Sequence, residues 1–415
     1  MNYSCDTGIL PVLIARTDRI SVSQEAFQSS PKDMAAASQK HLLILTGDHS
    51  ADMHAAAIVR ALRGMDPEWQ ISGVGASAMR DAGVELIADH RDMNVLGPVG
   101  VIKAVPSHRK LARRILAWVD EHRPSVAMLV DYGMFHLWLG PRLRARGVKV
   151  IYFIPPQIWA SRPWRVKQLR KAADEVVCIL PFEPDYYRSR GLHARFVGNP
   201  LMNLLPPPAE RNAFAMKHGL DPAKTWIGLF PGSRKNEINR LLAPQVDAVR
   251  QLEAQFPGRF QFVLAKAVNL SDSFFQQAWD KAMTGSALPI KVLTGENHAV
   301  LSAVDLALVA SGTVTLEAAL YRTPMIIMYR GSFGVYVMAR IFITVDHIGM
   351  PNLLVGKRII PELWQYDVTG KRIATETLRM LEPSRYQQAK ADLNAIASHF
   401  ANQDTPRQVA SAFIG

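Results

Sequence analysis

From residue 41 onward, short apolar runs alternate with stretches whose apolar positions return every three or four residues. Residues 42–45 (Leu-Leu-Ile-Leu) form a continuous apolar run of the kind a strand covered on both faces requires. Residues 46–50 read as a turn and 52–63 as a helix, which opens a βα unit. Similar units follow: a strand over 127–130 that ends at Asp131, a helix to about 146, and strands over 148–154 and 175–180. Pro200, Pro206, Pro207 and Pro208 mark a linker across 198–208, after which strands are predicted at 226–230, 260–264, 290–293, 307–309 and 323–329.

Such alternation predicts an α/β protein of two Rossmann-like doubly wound domains, with a ligand cleft between them at the strand carboxyl ends. The first domain spans 40–200 and the second 201–384. A helical C-terminal segment, 385–415, packs back on the first domain or on a partner. Residues 1–39 show no period and no compact apolar core of a signal peptide, so they read as a disordered leader or an over-extended start, with Met34 shortly before the first strand.

Composition narrows the class. With 48% hydrophobic and 20% charged residues the chain is that of a folded protein, and no apolar run reaches the roughly 18 residues of a membrane-spanning helix. Any membrane contact is therefore expected to be peripheral. Two cysteines, Cys5 and Cys178, make no disulfide framework and suit a reducing compartment. Between Lys103 and Lys171 stand fifteen Lys and Arg against three acids, an excess equal to the whole net charge of +12. That concentration points to an anionic partner, or else to a solvated basic face. Nucleic acid is not the expected partner, since no reader motif accompanies the aromatic and basic run from Trp159 to Arg165.

Two strand-to-helix turns in the second half carry the clearest chemistry. Pro231-Gly232-Ser233-Arg234 sets backbone N–H groups, a hydroxyl and a guanidinium where a diphosphate can be held. Ser311-Gly312-Thr313, with Glu317 one helical turn on, offers further donors and an acceptor for ribose hydroxyls. Either turn can simply cap its helix, but the pair in one domain favours a sugar nucleotide. In the first half Asp131 has the position of a general base for a sugar hydroxyl, or of a helix N-cap. Gly47, Asp48, Ser50 and Asp52, with His49 and His54, read as a hydrogen-bonding floor for a sugar and its phosphate. No metal site is expected, because the two histidines lack the spacing of a helical zinc pair. Val95, Leu96, Val99, Val101 and Ile102, followed by Arg109, Lys110 and Arg113, suit insertion into an anionic bilayer surface, or a core helix with a basic outer face.

In order and spacing these motifs resemble one family, the lipid-A-disaccharide synthases, from about residue 41 to the end. Besides the segments above, the resemblance runs through residues 155–160 (Pro-Pro-Gln-Ile-Trp-Ala), 180–183 (Leu-Pro-Phe-Glu), 196–200 (Phe-Val-Gly-Asn-Pro), 351–354 (Pro-Asn-Leu-Leu) and 361–365 (Pro-Glu-Leu-Trp-Gln). The resemblance implies a GT-B architecture and cofactor-free, metal-independent, inverting transfer. Its donor would be UDP-diacylglucosamine and its acceptor diacylglucosamine 1-phosphate, handled at the cytoplasmic face of an anionic inner membrane. Asp131 would be the base; Gly232, Ser233, Arg234, Ser311, Gly312, Thr313 and Glu317 would hold the nucleotide; Asn352 and Gln365 would order the donor side. A homodimer exchanging C-terminal segments is also implied.

The departures lie on the acceptor side. Gly47-Asp48 replaces the family's Gly-Glu, and Ser50-Ala51-Asp52 its Ser-Gly-Asp; after Asp131, Tyr132 to His136 replaces Ala-Pro-Asp-Phe-Asn, exchanging an amide for the imidazole of His136. Two other readings therefore stay open: a related UDP-sugar transferase or epimerase with another acceptor, and a paralogue that binds UDP-sugar and lipid without turnover.

Overall fold

The computed structural model describes residues 40–89, 98–285, 287–332, 334, 345–401 and 403–414, and of 98–105 the backbone alone. The expectations for 1–39, Val95 and Leu96 lie outside these residues, as do any for the side chains of Val99, Val101 and Ile102. The chain forms two compact units. One is Leu204–Ala401; the other joins the described residues up to Asn203 to those from Gln403 onward.

The first unit is built on a seven-stranded sheet, all parallel. Its strands are β1 (His41–Leu45), β2 (Gln70–Gly75), β3 (Glu85–Asp89), β4 (Val126–Val130), β5 (Lys149–Phe153), β6 (Glu175–Cys178) and β7 (His193–Phe196), in the order β3-β2-β1-β4-β5-β6-β7. Every residue of β1 and β4 is buried, as their unbroken apolar runs demand of central strands. Three helices matter for the site: α1 (His49–Met65), α2 (Pro98–His122) and α3 (Gly133–Arg144). On α2, Leu111, Ala112, Ile115 and Val119 are buried while Arg109, Lys110, Arg113 and Arg114 face solvent. This half of the helix therefore has a core face and a basic outer face.

The C-terminal tail completes the unit. A short helix, Thr405–Ala410, packs on α1, and Val409 and Ala410 join the core made by Leu42, Ile44, Ile58 and Val126. Phe413 meets the Trp69 ring edge-on at 6.1 Å.

A six-stranded parallel sheet organises the second unit: β8 (Thr225–Phe230), β9 (Phe260–Lys266), β10 (Ile290–Thr294), β11 (Leu306–Ala310), β12 (Met325–Tyr329) and β13 (Glu362–Trp364), ordered β10-β9-β8-β11-β12-β13. Helices α4 (Lys235–Gln255) and α5 (Val314–Leu320) leave the ends of β8 and β11. In both sheets the strand order reverses at one place, between β1 and β4 and between β8 and β11. Connections run to opposite faces on either side of such a point, and the gap that opens at the strand carboxyl ends is where doubly wound sheets bind ligands.

Candidate active site

At the β1/β4 switch point the chain leaves β1 through Thr46 and Gly47 and enters α1. Asp48 caps that helix, its Oδ1 accepting from the Ala51 N–H at 2.8 Å. Ser50 and His54 are hydrogen-bonded one turn apart at 3.3 Å. Glycine at 47 has a steric cause: a Cβ there would overlap the ring of Tyr132, which comes from the neighbouring loop. That ring lies parallel to the imidazole of His108 on α2, with Tyr132 Oη and His108 Nε2 at 2.7 Å.

Asp131 follows β4. Its N–H still donates to the Phe153 carbonyl of β5, but its φ is +52° and that of Tyr132 is +53°. Two successive non-glycine residues in the left-handed region cost about 1–2 kcal/mol each. The N-cap of α3 is Tyr132, without a side-chain cap bond, so the capping role open to Asp131 is not the one it takes. Its carboxyl is half-buried and pushed above the ordinary range, first by desolvation and then by the negative charge of Asp48. Its carbonyl oxygen accepts from His136 Nδ1 at 2.7 Å and from Tyr152 Oη at 2.8 Å. Burial lowers the imidazole of His136 to about 4, so it is neutral near pH 7.

Asp52 belongs to a different task. Its carboxylate is buried, and accepts from the N–H groups of Ala76 and Ala78 at 2.7 and 3.0 Å. It fastens α1 to the turn after β2 rather than facing a substrate. Residues 155–160 follow β5, next to Asp131 in the sheet. There Trp159 is anchored by its indole N–H to Glu183 Oε1 at 2.9 Å, while Glu183 Oε2 accepts from Ile179 and Leu180. Burial outweighs these bonds and raises the Glu183 carboxyl to about 7.

In the second unit the turns after β8 and β11 emerge side by side at the other switch point. Gly232 has φ +117°, and a Cβ on it would overlap the Glu237 carboxylate. Glu237 is the residue that sequence reading passed over: its Oε2 accepts from the N–H groups of Ser233 (2.9 Å) and Arg234 (3.1 Å), and its Oε1 from Arg234 Nη1 (2.8 Å). Two backbone donors expected to face a diphosphate are thus already occupied. The signal was present as a glutamate three residues into a helix. The Arg234 side chain is still 81% exposed. Asn269 Nδ2 donates to the Ser233 carbonyl and steadies the loop.

After β11, Ser311 Oγ donates to the Ile348 carbonyl at 2.9 Å, while Gly312 and Thr313 are exposed and lack an acceptor for their N–H groups among the described residues. Glu317 lies 3.6 Å from His298, whose imidazole it holds above the ordinary range. Asn352 and Gln365 act within the fold. Asn352 is fully buried, accepts from the N–H groups of Ile359 and Ile360, and donates to Ile360 and Glu362; Gln365 exchanges two hydrogen bonds with Gly331. Both order the segment beside β12 and β13; the Asn352 amide is fully used by its four bonds, whereas that of Gln365 has a second N–H and a second lone pair beyond its two.

Among the described residues no helix is long and apolar enough to cross a membrane. The sequence profile of the family described as lipid-A-disaccharide synthetase matches residues 42–413. The lipid-A-disaccharide synthase of Anaeromyxobacter dehalogenans is 36% identical over 375 residues, which cover 90% of this chain and 97% of that protein. The one from Trichlorobacter lovleyi is 38% identical over 356 residues, 86% of this chain and 92% of its own length. Solved structures share the fold at low identity. The glycotransferase of kitacinnamycin superposes with a TM-score of 0.59 at 14% identity, covering 90% of this chain and 98% of that one. An Anabaena protein in complex with UDP-glucose gives 0.53 at 13%, covering 90% and 99%. These likenesses put the two sheets in the GT-B class.

Proposed function

The chain belongs to the lipid-A-disaccharide synthetase family, and from that premise we propose how its residues divide the work of one reaction. The activity is a hexosyl transfer in lipid A biosynthesis with a UDP-sugar donor. In our reading the donor is UDP-2,3-diacylglucosamine and the acceptor is 2,3-diacylglucosamine 1-phosphate. Asp131 takes the proton of the acceptor's 6-hydroxyl as that oxygen attacks the anomeric carbon from the side opposite the diphosphate. The bond from the anomeric carbon to the diphosphate oxygen breaks with inversion, giving a β-1,6 disaccharide and UDP. Arg234 and the amides of Gly312 and Thr313 stabilise the charge that grows on the leaving group, and Glu317 accepts from the ribose hydroxyls.

The observation that carries this reading is the same in both units. Each sheet has one switch point, and the candidate base stands at one while the candidate diphosphate turn stands at the other. We further propose that the basic face of α2 rests on an anionic membrane surface, where both acylated substrates reside. Asp48, Ser50 and His54 face the acceptor's sugar and phosphate.

Purified protein incubated with the two substrates tests the assignment: disaccharide and UDP are expected in equal amounts. Asp131→Ala should lose nearly all turnover while keeping UDP affinity within a few-fold. Release of UDP only with some other acceptor would replace the acceptor, and full turnover by Asp131→Ala would remove the base.

A further inference from the structure

Beyond the residues that touch substrate, one arrangement at the end of β4 is left without a purpose by the reaction itself. The carbonyl oxygen of Asp131 receives two side-chain donors, His136 Nδ1 at 2.7 Å and Tyr152 Oη at 2.8 Å. They come from different elements, the first turn of α3 and the carboxyl end of β5, and both side chains are almost wholly buried. Their rings meet edge-on with centroids 6.0 Å apart, so each restrains the other. Because a carbonyl oxygen carries no proton, Nδ1 of His136 must be the protonated nitrogen. Both lone pairs of the oxygen are then engaged.

This doubly held oxygen sits at the one place where the backbone departs from the ordinary. Asp131 N–H keeps the sheet register through Phe153, and the two left-handed residues begin at that same Asp131. Neither is glycine, and the neighbouring Gly133 is not among the positive-φ residues. Left-handed conformation of this kind persists only where the surroundings over-determine it. Gly47 confines the Tyr132 ring from one side; His136 and Tyr152 hold the preceding carbonyl from the other.

We infer that His136 and Tyr152 are positioning residues for the transfer: together they clamp the Asp131 carbonyl and so hold the left-handed turn that aims the Asp131 carboxylate at the acceptor hydroxyl. This rests on Asp131 being the base. Neither residue touches substrate in this scheme. Loss of one donor lets the turn relax toward right-handed backbone, and a small displacement of the carboxylate lowers the rate while the nucleotide turns, in the other unit, are untouched.

The test uses the full-length enzyme with UDP-2,3-diacylglucosamine and 2,3-diacylglucosamine 1-phosphate, and four variants. Tyr152→Phe removes the hydroxyl and keeps the buried ring; His136→Leu removes the donor, whereas His136→Asn retains an N–H; Asp131→Asn reports on the base. Tyr152→Phe and His136→Leu should each lower kcat by roughly tenfold or more, as loss of a hydrogen bond at a buried polar group does. KM for the UDP-sugar should stay within about twofold, and His136→Asn should recover most of the rate. Near-normal kcat in Tyr152→Phe and His136→Leu beside an inactive Asp131→Asn would overturn the clamp and leave the base standing. Equal losses in His136→Leu and His136→Asn would assign His136 to packing and overturn its part. An active Asp131→Asn would bring down the reading of the base itself.

Discussion

Asp131 keeps its proton to higher pH than an ordinary carboxyl because it is half-buried and because Asp48 puts a negative charge nearby. A base works only when deprotonated, so the acidic limb of kcat should lie above the ordinary carboxylate range, with activity lost as pH falls through it. Asp48→Asn removes the second cause while keeping an oxygen acceptor for the α1 cap. The limb should then move to lower pH, which a pH–rate profile from 4 to 8 would display as about a few-fold gain on the acid side. An unmoved limb would detach Asp48 from the titration. Asp131 itself was legible in the chain, as an acid closing an apolar run. Its left-handed backbone was not, because the groups that impose it, Gly47, His136 and Tyr152, arrive from β1, α3 and β5 and leave no mark in the local pattern. Asp52 misled for a related reason: it shares a loop with exposed polar neighbours, yet its partners lie 24 and 26 residues on.

Among the elements, the central strands announced themselves. β1, β4, β8 and β11 are covered on both faces and, after His41 of β1 and the half-buried Thr225 of β8, hold only apolar residues and glycine, so their runs stand out. β3, β7 and β13 are edge strands, and β2 lies beside one; their Ser, Gly, Arg, His and Glu residues break the run. Edge strands are half-covered and can afford such residues. Helix α2 shows the limit of periodicity from the other direction. Its spacing separates a core face from a basic face but does not say what the basic face meets. If Arg109, Lys110, Arg113 and Arg114 dock it on anionic lipid, each adds about 1 kcal/mol at low salt. The protein should sediment with phosphatidylserine-containing vesicles at low ionic strength and come off near 1 M salt, where the screening length falls to about 3 Å. Arg113→Glu with Arg114→Glu should weaken attachment without altering the melting temperature by much. Binding indifferent to salt would move the role to apolar insertion.

For the molecule as a whole, the candidate base and the candidate nucleotide turns belong to separate units, so their defects should separate as well. Saturating UDP is expected to raise the melting temperature of wild type and Asp131→Ala alike. Arg234→Ala should need about tenfold more UDP for the same shift, since a charge-assisted contact to the diphosphate is gone. An unchanged shift in Arg234→Ala would take that guanidinium out of the nucleotide site. Two successive doubly wound units were legible from the restarted rhythm after the proline cluster. Of the segment 385–415, expected on the first unit or on a partner, the residues up to Ala401 belong to the second unit and only those after it join the first; an amphipathic segment reveals that one face is covered and not by which surface.

That return has a bearing on how the protein is made. Val409, Ala410 and Phe413 seal apolar surface formed by α1 and by Trp69, all synthesised before the second unit. A nascent chain emerging from the ribosome must therefore carry the first unit unsealed while the entire second unit is translated. Its closing piece becomes available only after residues 405–413 have been made. A chain interrupted just before residue 405 would carry every candidate catalytic residue and bare apolar surface on α1, a natural substrate for chaperones and proteases.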